Sequence, residues 1–338
     1  MAKPPALSDW GRLACAVPEV PSRYHPRVTS RLETKSGETK VVKSRGGSTK
    51  RRRVFEPGYR LDSDLTVVEH LGGSRKVDVY LCRSKGLKRL VACKTLGRSY
   101  WTDFSALEAI MHEGEILRRL NHPNVVRAFR VELQDNPRIV MEHLTGQTLG
   151  TTFFEGNYAA FEIGDAVNLV GQLADALSYV HGQGLLHLDV KPSNVMYDDG
   201  RATLFDFSVA EEYSPEHPLT DSSGTAEYMA PEQTHRRHVG YATDVFGLGV
   251  LFYRLLAGGA LPYPLAPADR GDTERRPRRR LDYSHPPRPP SEINPAVPAA
   301  VASVAMKAIE PEVQRRYDAP SDFKLALAES QRSAGILP

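Results

Sequence analysis

Cysteine is scarce: Cys15, Cys82 and Cys93 are the only three in 338 residues. Three thiols cannot build a disulfide framework, so a reducing compartment is expected. Long apolar runs are missing too. The best candidate, Phe246 to Leu256, is short for a membrane span and is broken by Arg254. The N-terminus is Pro-rich and mixed polar, without the apolar core of an export signal. No fixed-period repeat is present, which excludes solenoids and propellers. The 11 histidines show no metal-ligand spacing; His235 and His238 form a lone i, i+3 pair that reads as surface. The chain stops soon after its last helical pattern with no transmembrane span, so a cytoplasmic protein is expected.

What is present is a globular composition: 41% hydrophobic and 25% charged residues. The length corresponds to about two domains and is enough to bury a sizeable core. The net charge of +3 conceals an asymmetry. Residues 1–60 hold 14 Lys/Arg against 5 Asp/Glu, a balance of +9, and the remainder holds 30 against 36, a balance of −6. The basic character belongs to an arm, residues 1–56. Its stretch Lys43 to Arg53 is too polar to bury apolar surface, so a flexible, disordered arm is expected. The cluster Lys50 to Arg53 is a candidate contact for an acidic partner, nucleic acid or anionic lipid, against the plainer reading of a solvated tail.

From Tyr59 the pattern changes. Leu65–Val68, Val77–Leu81 and Leu90–Cys93 are short β-type runs, and Val125–Val131 and Arg138–Met141 suggest two more strands. Phe104 to Leu120 has helical spacing and ends at Asn121-His122-Pro123. The rest is mainly helical: Ile163 to His181, Ala242 to Leu256, and patterns near 299–310 and 320–330. Short strands at Val195–Tyr197 and Thr203–Phe205 lie between, and a Pro-rich connection fills 262–298. A small β-rich lobe ahead of a larger α-rich lobe implies a cleft between them.

The densest chemistry is His187-Leu-Asp-Val-Lys-Pro-Ser-Asn194, followed by Asp206-Phe-Ser208. Phosphoryl transfer from a nucleotide needs such parts: a carboxylate to accept the proton of the attacking hydroxyl, oxygen ligands for Mg²⁺, and a cation to offset phosphate charge. Asp189, then Asn194 with Asp206, then Lys191 are of the right types. Structural Asx turns would explain a single such loop, but not its recurrence with a second carboxylate 12 residues on. Upstream, Val91-Ala-Cys-Lys94 ends a β-run with a lysine, and Glu113 lies on the next helix. Downstream stands Gly224-Thr-Ala-Glu-Tyr-Met-Ala-Pro-Glu232.

In this order, with Asn121-His-Pro-Asn-Val125, Ile139-Val-Met-Glu-His-Leu144 and Thr243-Asp-Val-Phe-Gly-Leu-Gly249, the chain resembles the serine/threonine protein kinases, close to the bacterial eukaryotic-like group. The resemblance covers roughly residues 59–330. It implies an α+β, bilobal protein-kinase-like fold, with a small β-rich N-lobe carrying one main helix (57–143), a larger, mainly α-helical C-lobe (144–330) and a tail (331–338). It implies ATP and Mg²⁺, with Mn²⁺ as an alternative, and a protein substrate with a Ser or Thr acceptor, the chain itself included. Lys94 and Glu113 would be the ion pair, Asp189 the base, Lys191 the cation on the γ-phosphate, and Asn194 and Asp206 the metal ligands. Gly72, Gly73 and Val79 would cover the nucleotide. Met141 would be the gatekeeper, and Glu142 to Leu144 the hinge facing adenine. Glu232 would pair with Arg316, Asp244 would brace the catalytic loop, and Thr225 would pack on Asp189 and Lys191. Ser214, Thr220, Ser222 and Ser223 are candidate phosphorylation sites.

Three departures stand out. In Leu71-Gly-Gly-Ser-Arg-Lys-Val-Asp-Val79, Ser74 and Val77 replace two glycines of the family's phosphate-covering loop. Glycine there lets backbone N–H groups approach phosphate, whereas valine is stiff. A less mobile loop and weaker nucleotide binding are expected, with Arg75 and Lys76 as candidates for direct phosphate contact. Ser208 replaces the glycine after Asp206-Phe207, which suggests fewer inactive flips of Asp206. Leu188 replaces an arginine that commonly pairs with a loop phosphate, which suggests activity less dependent on phosphorylation. The run Arg275–Arg280 reads as a solvated loop or an acidic-substrate dock. A pseudokinase, binding nucleotide as a scaffold, is the alternative to an enzyme.

Overall fold

The computed structural model describes residues 54–133, 136–154, 161–216, 224–235, 238–266 and 281–336. Residues 1–53 of the basic arm, Thr220, Ser222, Ser223 and the run 275–280 lie outside them, whereas residues 54–56, expected to belong to the flexible arm, are ordered, with Phe55 buried. Five antiparallel strands open the fold: β1 (Leu65–Gly73), β2 (Val77–Ser84), β3 (Arg89–Leu96), β4 (Ala128–Glu132) and β5 (Arg138–Glu142). Their order is β1-β2-β3-β5-β4, which puts β3 at the centre. Helix α1 (Phe104–Arg119) connects β3 to β4. It starts at Asp103, whose carboxylate accepts the Ala106 N–H at 2.9 Å as an N-cap. Alternation along β2 and β3 gives the sheet two apolar faces. One joins the main core through Leu96 and Ile139. The other is closed by Phe55, which lies ahead of β1 and packs with Leu65, Val67, Tyr80 and Cys93.

The larger part is helical. In chain order it contains β6 (Gln147–Thr148), α2 (Leu149–Phe154), α3 (Ile163–Gly182), β7 (Leu185–Leu186), β8 (Val195–Asp198), β9 (Arg201–Leu204) and β10 (Glu211–Glu212). Then follow α4 (Pro231–Thr234), α5 (Tyr241–Leu256), α6 (Pro290–Ile293), α7 (Ala299–Ala308) and α8 (Pro320–Ala334). Helix α3 buries Val167, Leu169, Val170, Leu173, Leu177 and Val180, the positions its spacing predicts. Helix α5 is buried on nearly every side, as its almost uninterrupted apolar sequence requires. These helices and β8–β9 share one core with the inner face of the sheet.

The run Val125–Val131 is not one strand. Only Ala128 onward pairs with β5. Val126 N–H donates to Leu204 O at 2.9 Å, and Leu204 N–H donates to Asn124 O at 2.8 Å, so its first part is stitched to β9. That stitch joins the segment ahead of β4 to β9 of the helical part. Among the described residues, no helix is long and apolar enough to cross a membrane.

Candidate active site

Lys94 sits on the central strand, opposite Val79 of β2 and Ile139 of β5. Its ammonium donates to Glu113 Oε1 of α1 at 2.7 Å and to Asp206 Oδ1 at 3.0 Å. Burial works against the charge on Lys94, but the two carboxylates outweigh it and raise its pKa. Burial raises the pKa of Glu113, with Lys94 pulling the other way. For Asp206 burial also opposes the charge, yet Lys94, the Ser208 hydroxyl and His187 together hold its carboxyl below the ordinary value. The three groups form one buried cluster joining β3, α1 and the segment after β9. Asp206 takes φ +66°, a left-handed conformation that aspartate tolerates better than most residues. Ser208, where the family pattern has glycine, hydrogen-bonds to this carboxylate.

The catalytic loop is braced from below. Asp244, on α5, accepts the N–H groups of His187 at 2.8 Å and Leu188 at 2.7 Å. It also bonds His181 Nε2 at 2.8 Å, and the His181 ring stacks on Tyr241. Burial opposes the charge on Asp244, but these hydrogen bonds, that of His181 foremost, lower its pKa. Leu188 has φ +62°. A side-chain-bearing residue there costs about 1–2 kcal/mol. It is held from both sides: its N–H goes to Asp244, and its carbonyl accepts Gln233 Nε2 at 2.8 Å. Its side chain fills an apolar cluster with Leu186 and Val239, against Tyr241. His187 is fully buried, with Nδ1 accepting the Asp189 N–H at 3.3 Å. Burial lowers its pKa despite three nearby carboxylates.

This scaffold presents Asp189, buried apart from its rim. Oδ1 accepts the Thr225 N–H at 2.9 Å. Oδ2 accepts Lys191 Nζ at 2.5 Å and Asn194 Nδ2 at 3.0 Å. Lys191 also donates to Thr225 Oγ1 at 2.7 Å. Thr225 thus touches both Asp189 and Lys191. Because Asn194 spends its Nδ2 on Asp189, its Oδ1 faces the other way. That oxygen and the Asp206 carboxylate are both hard donors, a set that suits Mg²⁺ supplemented by substrate oxygens.

The nucleotide-covering residues are arranged less as expected. Gly72 and Gly73 end β1, and Val79 stands on β2 beside Lys94. The turn between the strands is only Ser74-Arg75-Lys76. Gly73 is required by it: a Cβ there would lie 2.1 Å from Val77 O. Ser74 N–H donates to Val77 O at 2.9 Å, so it closes the turn. Val77 is a strand residue paired with Leu96. Arg75 and Lys76 do not turn into the cleft. Arg75 donates to Tyr100 Oη, and Lys76 donates to Asp103 and Ser105 at the start of α1. In this structure neighbouring acceptors hold both cations. At the hinge, Met141 and Leu144 pack against the main core. The Glu142 carboxylate accepts Arg127 N–H at 2.8 Å, just ahead of β4.

Other contacts have no signal in the sequence. His112 Nε2 donates to Ala210 O at 2.9 Å, and Arg119 donates to Glu212 Oε1 at 2.7 Å, tying α1 to the segment after Asp206. By contrast, the Glu232–Arg316 pair, which the family resemblance implies, is present at 2.7 and 2.9 Å and buried, with Arg316 also donating to Ala242 O and Pro311 O.

Comparison with known proteins shows the family and the fold. The model of the protein kinase domain family matches residues 65–321. The chain is 32% identical over 280 residues to the serine/threonine-protein kinase Pkn1 of Myxococcus xanthus, covering 80% of this chain and 38% of that protein. It is 27% identical over 272 residues to the serine/threonine-protein kinase PrkC of Bacillus subtilis, covering 79% and 40%. The chain thus spans well under half the length of these relatives. Among solved structures, the kinase domain of Mycobacterium tuberculosis PknI matches with a TM-score of 0.60 and 25% identity, over 82% of this chain and all of that one.

Proposed function

The chain belongs to the protein kinase family, and from that premise we propose that it transfers the γ-phosphoryl group of ATP to serine or threonine hydroxyls of proteins, its own included. The observation that carries this is the joint assembly of Lys94, Glu113 and Asp206 in one cluster and of Asp189, Lys191, Asn194 and Thr225 in another. Residues 57–143 form the smaller lobe of this reading and 144–330 the larger. A cytoplasmic site of action fits the buried free thiols Cys82 and Cys93.

In this reading Lys94, steadied by Glu113, holds the α- and β-phosphates. Asn194 and Asp206 would hold Mg²⁺, which would supply positive charge to offset that of the phosphates. Asp189 orients the acceptor hydroxyl and takes its proton. The hydroxyl oxygen bonds to the γ-phosphorus as the bond to the β–γ bridging oxygen breaks, and ADP leaves. Lys191 offsets charge on the moving group. Most of the acceleration comes from positioning and electrostatics that are already built. Leu188 seats the loop through apolar contact, which supports activity without a phosphate on the segment around 214–223.

The test is labelled-phosphate transfer from ATP, with Mg²⁺ and with Mn²⁺, onto the protein and a generic basic acceptor, with Asp189→Asn as control. Label that disappears in the control is expected. Label equal in both would remove Asp189 from the mechanism.

A further inference from the structure

The transfer step leaves Arg75 and Lys76, two cations at the tip of the phosphate-covering hairpin, without a role. Lys76 Nζ donates to Ser105 Oγ at 2.6 Å and to Asp103 Oδ1 at 3.2 Å. Arg75 Nε donates to Tyr100 Oη at 3.1 Å. The backbone joins in, because Gly97 N–H donates to Lys76 O at 2.8 Å. Asp103 is the N-cap of α1, and the same oxygen accepts the Ala106 N–H and the Ser105 hydroxyl. Glu113 rides on this helix and meets Lys94.

The geometry points to Lys76, with Asp103 and Ser105, as a latch that couples closure of the hairpin over the phosphates to the seating of Glu113 on Lys94. Lys76 is a positioning residue. A glycine-rich loop finds its place on phosphate through its own backbone N–H groups. Here Ser74 N–H is committed to Val77 O, and Val77 is locked into β2. A stiff hairpin moves as a unit, so its position is set by what its tip is fastened to. The tip is fastened to α1, whose placement also sets the Lys94–Glu113 pair. The latch therefore rests on the kinase reading for its purpose but not for its existence.

Its strength is limited by solvent. Lys76 and Asp103 are 41% and 32% exposed. Exposed ion pairs carry modest energies, which corresponds to an effect of about fivefold at most, eroded by salt.

The test uses the full chain as wild type, Lys76→Met, Lys76→Arg and Asp103→Asn, the last chosen because asparagine still caps a helix. Lys85→Met, at the exposed far end of the same hairpin, is the control. Amide hydrogen exchange without nucleotide and calorimetric titration with ATP and Mg²⁺ are measured. Lys76→Met and Asp103→Asn are expected to speed exchange at Gly97, Ala106 and Leu107 and to weaken ATP binding, each by about fivefold or less. Lys76→Arg and Lys85→Met should resemble wild type, and the Lys76→Met/Asp103→Asn pair should be no worse than either single change. Unchanged exchange in Lys76→Met overturns the latch. So does weaker ATP binding without faster exchange, which would indicate direct phosphate contact. Should wild type bind no ATP, the kinase reading fails, while the exchange comparison still decides the latch.

Discussion

The proposed catalytic loop, residues 187–194, and the hairpin tip at residues 72–79, proposed to cover phosphate, are held by opposite means. In the loop, His187, Asp189 and Asn194 are buried, and backbone and side chains bond to α5, Thr225 and each other. The hairpin is largely exposed at its tip, lacks two of the family's glycines and is fastened from outside through Lys76. Where the chemistry needs a particular functional group, the residue type is kept. Where it needs only a backbone in a certain place, neighbouring side chains can supply the restraint instead.

The largest effect that would sharpen this contrast is at Asp189. Asp189→Asn should lower transfer by about 10²–10⁴-fold, the range of a lost general base, with ATP affinity by calorimetry little changed. A hairpin variant of equal effect would break the comparison.

Next is the support beneath the loop. Arg316→Leu leaves Glu232 buried without its partner and should cost about 3–5 kcal/mol in urea unfolding. Behind it comes Leu188→Ala. Removing that side chain from the Leu186–Val239 cluster should cost about 2–3 kcal/mol and lower activity with it. Alanine at Thr220, Ser222 and Ser223 together should leave most of the activity in the transfer assay. Loss of activity there would show that a loop phosphate, not Leu188, seats the segment.

A smaller effect is set by pH. Buried His187 has its pKa lowered from the ordinary 6.5, so the unfolded chain takes up this proton first. Stability should be full above pH 6.5 and decline as pH falls below it, read as a falling melting temperature. His122, lowered by burial in the same sense, adds to the slope. His187→Phe should flatten the decline without abolishing it. The raised pKa of Glu113 acts in the opposite sense, nearer its ordinary 4.5.

The smallest effect is Val77→Gly, which restores a family glycine. It should not tighten ATP binding, because Val77 is a strand residue opposite Leu96, and it should cost about 0.5–1 kcal/mol. Tighter binding would mean that the hairpin is limited by stiffness rather than held by its latch.

Legibility in the sequence divides along the same line. The helices at 104–119, 163–182 and 241–256 follow their apolar spacing because one face, or all of it, had to be buried. The run at 125–131 misled because an apolar β-type run does not say which strand it joins, and its first residues chose β9 over β5. The direction of Arg75 and Lys76 was equally hidden. A long cation turns to the nearest acceptor, and Tyr100, Asp103 and Ser105 become near only on folding. His181 and Asp244 lie 63 positions apart, and no local pattern links them.

By itself, the sequence determined which residue types the proposed site brings together. Lys94, Glu113, Asp189, Lys191, Asn194 and Asp206 are readable because phosphoryl transfer accepts few residue types, and their order and spacing are local facts. Only the tertiary structure decided two of the supports around those groups: Gln233 on Leu188 and Lys76 on α1. Each of these is a hydrogen bond between segments far apart in the chain. Its partner is settled by which donors and acceptors burial brings within about 3 Å, and a linear pattern does not encode that distance.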